Sequence, residues 1–370
     1  MSTRSVLCIN DAPSWRGGEA QTLALCRGLL DRGHRVRLAA LPDAPLRTRA
    51  QAAGVPVDAV SMAFEFDPSA ASSLAHLVRR HELEIVHAHT PHAHTLALLA
   101  TRLAGRGRVV VSRRVDFPVG RSRGWLSGLK YQAADRYLAV SERIREVLIE
   151  GGVEPPRVDV VHSAVDPARV RGGDGSRFRE SLGIPPDAPL IGCVAALADH
   201  KSLPTLIAAA TLVLNAIDDA WFVVLGEGKE RSRLEALRSV SSARERLLLP
   251  GFRDDIADAF AAFDAFAMPS HLEGLCTSIL DAFAAGVPVV CSDAGGMPEL
   301  VEHELTGLLV QPRDPSALAA ALTRVLTDSE LAKTVTEAAE QRLSEHSVDA
   351  MVEATLTAYD RVLDEGRDSA

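Results

Sequence analysis

The sequence predicts an α/β protein of two Rossmann-like domains facing a central cleft. Three observations carry that prediction. The chain has 370 residues, room for two domains at about 150 residues each. Short apolar runs alternate with amphipathic stretches along its whole length. The alternation restarts after a central stretch, 165–186, rich in glycine and proline.

In the first half the apolar runs 6–9, 36–40, 55–60, 85–88, 109–112 and 137–140 read as strands. The stretches 19–31, 45–53, 69–81, 95–104 and 141–150 read as helices between them. Gly33 and Gly54 stand where a helix ends and a strand follows, the place for a left-handed cap. The second half repeats the scheme, with strands at 190–194, 221–225, 247–249, 265–268, 288–291 and 307–310. Its helices fit 203–216, 230–240, 254–262, 277–285, 315–327 and 330–346. Strand–helix alternation at this spacing calls for a parallel sheet covered on both faces. Ligands then bind beyond the carboxyl ends of the strands. The expected division is a first domain over 1–164, a second over 165–348, and a final helix, 349–370, returning to pack on the first.

Composition narrows the classes. Apolar residues make up 47% and charged residues 24%, ordinary for a globular protein. The apolar run at 6–9 is too short for a signal-peptide core, and no stretch reaches the ~20 apolar residues of a membrane span. The 5 cysteines are widely spaced, with no Cys-x-x-Cys pair, which fits reduced thiols in the cytoplasm. The net charge of −9 is unevenly divided: residues 1–165 hold 22 basic against 16 acidic side chains, and the rest 18 against 33. Nine of the basic residues fall within 102–136: Arg102, Arg106, Arg108, Arg113, Arg114, Arg121, Arg123, Lys130 and Arg136. Such a split points either to an anionic partner of the first half or to a solvated arginine-rich face. The acidic second half speaks against nucleic acid.

The chemistry concentrates in the second half. A strand ends at Met268, a loop carries Glu273 and Gly274, and a helix begins near Thr277. The backbone N–H groups of Leu275, Cys276, Thr277 and Ser278 then stand unpaired at a helix amino end, a seat for phosphate or sugar oxygens. Asp281 lies a turn further in, where it can accept hydrogen bonds from a diol; the plainer reading is a capped core helix. Lys201 follows a strand at a helix start, where a cation is unfavourable for the dipole and useful for a phosphate. Gly17 and Gly18 allow a diphosphate to approach the backbone, or merely form a turn. His87, His89, His92 and His94 cluster, but no carboxylate or cysteine completes a metal set. An imidazole at the strand end, facing a sugar hydroxyl or a backbone carbonyl, is the expectation; the plainer reading of His87 is a satisfied core histidine. Arg113 and Arg114 end a strand where they can clamp an acidic acceptor group or pair with Asp116.

The segment from Pro269 to Val290 resembles the Glu-x7-Glu signature of retaining glycosyltransferases with the GT-B fold, especially glycosyltransferase family four. Other landmarks follow in order: Arg16-Gly17-Gly18-Glu19, Gly33-His34-Arg35-Val36, His87-Ala88-His89-Thr90, Ala139-Val140-Ser141-Glu142, His162-Ser163-Ala164-Val165-Asp166, Lys201, Gly226-Glu227-Gly228, Gly251-Phe252-Arg253 and Asp293-Ala294-Gly295-Gly296-Met297-Pro298-Glu299. The chain departs from the pattern at Ala196, where the family carries an arginine, at Asp281 in place of the second Glu, and at Ser163-Ala164 in place of Asn-Gly.

The resemblance implies a metal-independent, retaining transferase with a nucleotide-diphospho-sugar donor, of UDP or GDP type, as substrate and no cofactor. It implies that Asp281 binds the ribose, that Lys201 and the amides of Leu275, Cys276 and Thr277 hold the diphosphate, and that Glu273 and His89 orient the sugar. Lys201, the amide-rich helix end, or another arginine such as Arg253 is a candidate to replace the missing arginine. A glycan, lipid-linked or small-molecule acceptor is expected on the first domain, in a cytoplasmic enzyme with peripheral contact to an anionic membrane surface. Two other readings stay open: another GT-B enzyme such as an epimerase, and a nucleotide-sugar-binding protein without activity.

Overall fold

A computed structural model describes residues 3–119 and 125–367. The chain divides into two compact units. Unit 1 comprises Met1–Ala164 with Val348–Ala370, and unit 2 comprises Val165–Ser347.

Unit 1 is a seven-stranded parallel sheet. Its strands are β1 (Ser5–Asn10), β2 (Arg35–Ala40), β3 (Val57–Ala59), β4 (Ile85–Ala88), β5 (Arg108–Arg113), β6 (Arg136–Ala139) and β7 (Val158–Val160), in the order β3-β2-β1-β4-β5-β6-β7. The order reverses between β1 and β4, whose register sets Cys8 opposite His87. Strands β1 and β4 are buried on both faces, as a parallel sheet under two helical layers requires. Gly33 and Gly54 adopt φ of 80° and 76°, the left-handed caps the sequence calls for. The final helix, Val348–Arg367, packs on the helix Gly17–Asp31. Its Met351, Val352, Leu356 and Tyr359 join Val6, Cys8, Leu25 and Leu29 in one core. Salt bridges Arg4–Asp360 at 2.6 Å and Arg136–Glu365 at 2.5 Å fasten it at its rim.

Unit 2 is a six-stranded parallel sheet: β8 (Leu190–Val194), β9 (Trp221–Leu225), β10 (Leu247–Gly251), β11 (Ala265–Met268), β12 (Val289–Ser292) and β13 (Leu308–Val310), in the order β10-β9-β8-β11-β12-β13. Here the reversal falls between β8 and β11. Phe178, Phe260, Phe263 and Phe266 form a run of edge-on and tilted rings in its core.

The structure holds several elements that the sequence reading does not place. β7 is only three residues long, and the helix Trp125–Ala133 falls where the sequence reading places no element. The glycine-rich stretch after Val165 holds a helix, Gly175–Leu182, rather than a linker alone. Its glycines serve packing: a Cβ on Gly173 would lie 2.1 Å from the Ala257 carbonyl carbon, and one on Gly175 2.5 Å from the Ala261 oxygen. No helix of the described residues is long and apolar enough to cross a membrane.

Candidate active site

Unit 2 gathers its chemistry where its strand order reverses. Lys201 ends a short turn after β8, and Glu273 lies in the loop after β11, neighbouring strands although 72 residues separate the two side chains. Lys201 Nζ donates to both carboxylate oxygens of Glu273, at 2.6 and 2.8 Å. Both side chains are nearly buried. Burial, the largest influence, pulls the ammonium down, but Glu273 together with the neighbouring Cys276 and Cys193 holds Lys201 above its ordinary value. The amine is therefore a fixed cation at any physiological pH.

Glycine-bearing turns set this pair in place. A Cβ on Gly295 would sit 2.1 Å from the Glu273 carbonyl oxygen, and Gly296 N–H donates to that oxygen at 3.1 Å. His271 N–H donates to the His200 carbonyl at 3.0 Å, tying the Glu273 loop to the Lys201 turn.

The helix Thr277–Ala284 starts beside the pair. Its cap residue, Cys276, has φ 62°, strained for a residue with a Cβ. None of the amides of Leu275, Cys276, Thr277 and Ser278 has a partner outside its own helix among the described residues. The Ser278 hydroxyl donates to the Val194 carbonyl at 2.9 Å, pinning the first turn to the end of β8.

Asp281 is 3% exposed and its carboxylate is 2.5 Å from Arg169 Nη2. Burial pushes its carboxyl up to about 6, with Arg169 opposing. Arg169 is a contact that the sequence reading misses. It ends the turn Pro167–Arg169, three residues beyond Asp166, where the quoted crossover stops. Arg253 is spent elsewhere: it binds Asp255 at 2.8 Å and Ser181 at 3.3 Å, and lies over the Phe178 ring. Among the described residues it makes no bond to Lys201, Glu273 or Asp281.

In unit 1, His87 is a core histidine: its ring nitrogens bond the Tyr359 hydroxyl at 2.7 Å and the Ser112 hydroxyl at 2.8 Å. His89 stacks on it, ring centres 4.1 Å apart. Arg114 Nη1 lies 3.2 Å from His89 Nδ1. A guanidinium cannot accept, so Nδ1 accepts and the ring proton resides on Nε2. Burial, His87 and Arg114 all hold His89 well below the ordinary range, so it is neutral and orients rather than titrates.

The sequence expectation that no cysteine accompanies the histidines is corrected here. The β1–β4 register brings Cys8 to His87 and His89, with ligand atoms within 4.8 Å of one another. The spacing in sequence hides this, because Cys8 comes from a neighbouring strand. Both nitrogens of His87 and Nδ1 of His89 are engaged by the hydrogen bonds just described.

Arg113 and Arg114 do not form a clamp. Arg113 donates to the Phe117 carbonyl at 2.9 Å, while Arg114 turns to His89. Asp116 is met by Arg143, at 3.5 Å. The helix that begins at Gly17 leaves no atom within 4 Å of a Cβ built on Gly18. Arg121 and Arg123 lie outside the described residues.

Two parallel α/β units, one carrying a buried ammonium, an open helix amino end and a buried carboxylate at its strand ends, define the GT-B class of sugar-transferring proteins. Comparison with known proteins agrees. Residues 15–169 match the model of Glycosyltransferase Family 4, and 174–342 that of Glycosyl transferases group 1. The GDP-mannose-dependent alpha-(1-6)-phosphatidylinositol monomannoside mannosyltransferase of Mycobacterium tuberculosis is 31% identical over 72% of this chain and 72% of its own. The UDP-Gal:alpha-D-GlcNAc-diphosphoundecaprenol alpha-1,3-galactosyltransferase of Escherichia coli is 28% identical over 70% of each. Among solved structures, Anabaena HepE in complex with UDP and glucose superposes with a TM-score of 0.84 at 20% identity, over 96% of this chain and 99% of that one. The chain belongs to the group 1, family four glycosyltransferases.

Proposed function

We propose that this glycosyltransferase moves a hexosyl group with retention of anomeric configuration, without a metal, from a UDP- or GDP-sugar to a hydroxyl of a glycan or lipid-linked acceptor. The observation that carries this reading is the buried Lys201–Glu273 pair beside the open amino end of the helix Thr277–Ala284. Charge develops on the departing diphosphate during transfer, and fixed donors aimed at it lower the barrier. Lys201 and the amides of Leu275, Cys276 and Thr277 are such donors. Glu273 is assigned to the sugar hydroxyls and Asp281 to the ribose; within unit 1, the neutral His89 is assigned by itself to a sugar hydroxyl.

In this reading the leaving phosphate takes the acceptor proton, and a cation already fixed at the site does the work a metal does elsewhere. Gly18, with open space beside it, gives the diphosphate room at the backbone of unit 1. The family's arginine is absent at Ala196, and Arg253 is occupied by Asp255. Arg169, bound to Asp281 and partly exposed, is the cation we assign to its replacement.

Two curated relatives are named for lipid-linked acceptors, a diphosphoundecaprenol and a phosphatidylinositol mannoside. Their names support a lipid-linked substrate in cell-envelope polysaccharide assembly. A cytoplasmic enzyme that meets an anionic membrane surface through unit 1 is part of the same proposal and rests on the basic residues of that unit. The test is product stereochemistry: NMR of the glycoside formed from a UDP- or GDP-α-sugar should show an α linkage. A β linkage would overturn the retaining assignment, and donor epimerisation without acceptor would replace transfer altogether.

A further inference from the structure

Unit 1 has its own strand-order reversal, between β1 and β4, and a polar pair stands there that the donor reading does not use. Asp11 directly follows β1, and His92 lies in the first turn of the helix Pro91–Ala104 that follows β4. An Asp11 carboxylate oxygen is 3.2 Å from His92 Nδ1. Its other oxygen accepts from the Thr90 hydroxyl, which itself caps the helix through Ala93 N–H. The Asp11 side chain is 10% exposed and that of His92 52%, so a sheltered carboxylate backs an open imidazole.

In the neutral ring, a carboxylate beside Nδ1 draws the single proton to that nitrogen and leaves Nε2 as a lone-pair acceptor. Among the described residues His92 makes no other hydrogen bond or ion pair. The surroundings set what can dock. Glu65 accepts from Thr95 at 2.8 Å and from Lys130 at 2.5 Å, and Lys130 also donates to the Pro91 carbonyl at 2.7 Å. Glu65 is flanked in the chain by Phe64 and Phe66, 56% and 68% exposed. Lys130 is already paired with Glu65 and Asp11 faces His92, so this edge carries balanced charge that does not single out a phosphate or carboxylate, and aromatic rings suit the C–H face of a sugar or cyclitol.

We infer that His92, held by Asp11, is the docking point for a neutral, hydroxyl-bearing ring of the acceptor. The inference rests on the transferase reading and names the acceptor class for it. The ring's O–H donates to His92 Nε2 and its apolar face lies toward Phe64 and Phe66. In an open sheet this reversal is where ligands bind, and unit 2 uses the corresponding place, between β8 and β11, for Lys201 and Glu273.

The test uses the full chain with 15N-labelled histidine, His92 being assigned by the resonances lost in His92→Gln. Methyl α-D-glucopyranoside and myo-inositol are the probes, with inorganic phosphate as the counter-probe. A saturable shift of His92 with at least one polyol and none with phosphate is expected. Asp11→Asn should weaken that binding about fivefold, the worth of one neutral hydrogen bond. No shift with either polyol, an equal shift with phosphate, or an unchanged affinity in Asp11→Asn would overturn it. UDP-induced stabilisation of the same samples reports on the donor site separately. If it persists while His92 stays silent, the inference alone fails; if it is absent as well, the transferase reading on which the inference rests fails with it.

Discussion

Glu273 and Asp281 lie within one short segment and differ in what holds them. Glu273 is locked to Lys201 and belongs to the sugar in our reading, so its removal strips a contact that sharpens as the bond breaks. Glu273→Ala is expected to lower kcat at least a hundredfold, while Asp281→Ala mainly raises donor KM, because a ribose contact is shared by ground and transition states. Steady-state kinetics separate the two; equal losses in kcat for both would remove the distinction. Asp281 also makes the protein's behaviour depend on pH. Its carboxyl titrates near 6 against an ordinary 3.8 because burial disfavours the charge. A raised carboxyl contributes stability that is full below the ordinary value and is lost as pH rises through the folded value. Asp281→Asn is therefore expected to gain in melting temperature relative to wild type between pH 4 and pH 8. Donor affinity runs the other way, since the ribose needs the carboxylate. Wild-type UDP affinity is expected to fall about tenfold from pH 7 to pH 5, measured by calorimetry. At this scale the sequence made the site's residue types legible, since Glu273, Lys201, Asp281 and His89 stand in recognisable contexts. It could not make their partners legible. Arg169 reaches Asp281 across 112 residues, and Cys8 reaches His87 only through strand pairing.

One helix shows how packing assigns opposite meanings to the same residue type. In Gly17–Asp31, a Cβ at Gly18 meets nothing within 4 Å, while one at Gly28 would lie 2.6 Å from Val352 Cγ2 of the final helix. Gly28→Ala is expected to cost about 1–3 kcal/mol by overpacking a stiff, branched neighbour. Gly18→Ala should leave the melting temperature unchanged or slightly raised, yet weaken donor binding if its backbone meets the diphosphate. Thermal unfolding and a donor titration on both variants decide this, and a destabilised Gly18→Ala would contradict the open space seen there. The elements themselves were largely legible because most strands of the two sheets contain a compact apolar run. Those that escaped have a physical reason. β7 is a three-residue edge strand, and the helix Gly175–Leu182 hides in a glycine-rich stretch whose small residues serve close helix contact rather than flexibility.

Over the whole chain the charge split remains, but the structure uses much of the basic stretch internally. Arg108 binds Asp135, Lys130 binds Glu65, and Arg136 binds Asp159 and Glu365. Among the described residues of that stretch, Arg102 and Arg106 are exposed with guanidiniums that make no bond. Each basic residue near an anionic bilayer is worth about 1 kcal/mol. Reversing both to Glu is expected to weaken binding to anionic vesicles at least tenfold at low salt, in a sedimentation assay. Equal binding of the variant and wild type would leave these residues as a solvated face. The central claim concerns unit 2, and it is tested most directly by thermal unfolding with a panel of UDP- and GDP-sugars in wild type and Lys201→Ala. A ligand at 100 times its dissociation constant stabilises by about 2.7 kcal/mol. The account predicts such a rise in melting temperature for at least one nucleotide sugar in the wild type, and its loss in Lys201→Ala. A rise that survives undiminished in Lys201→Ala, or none with any nucleotide sugar, would contradict it.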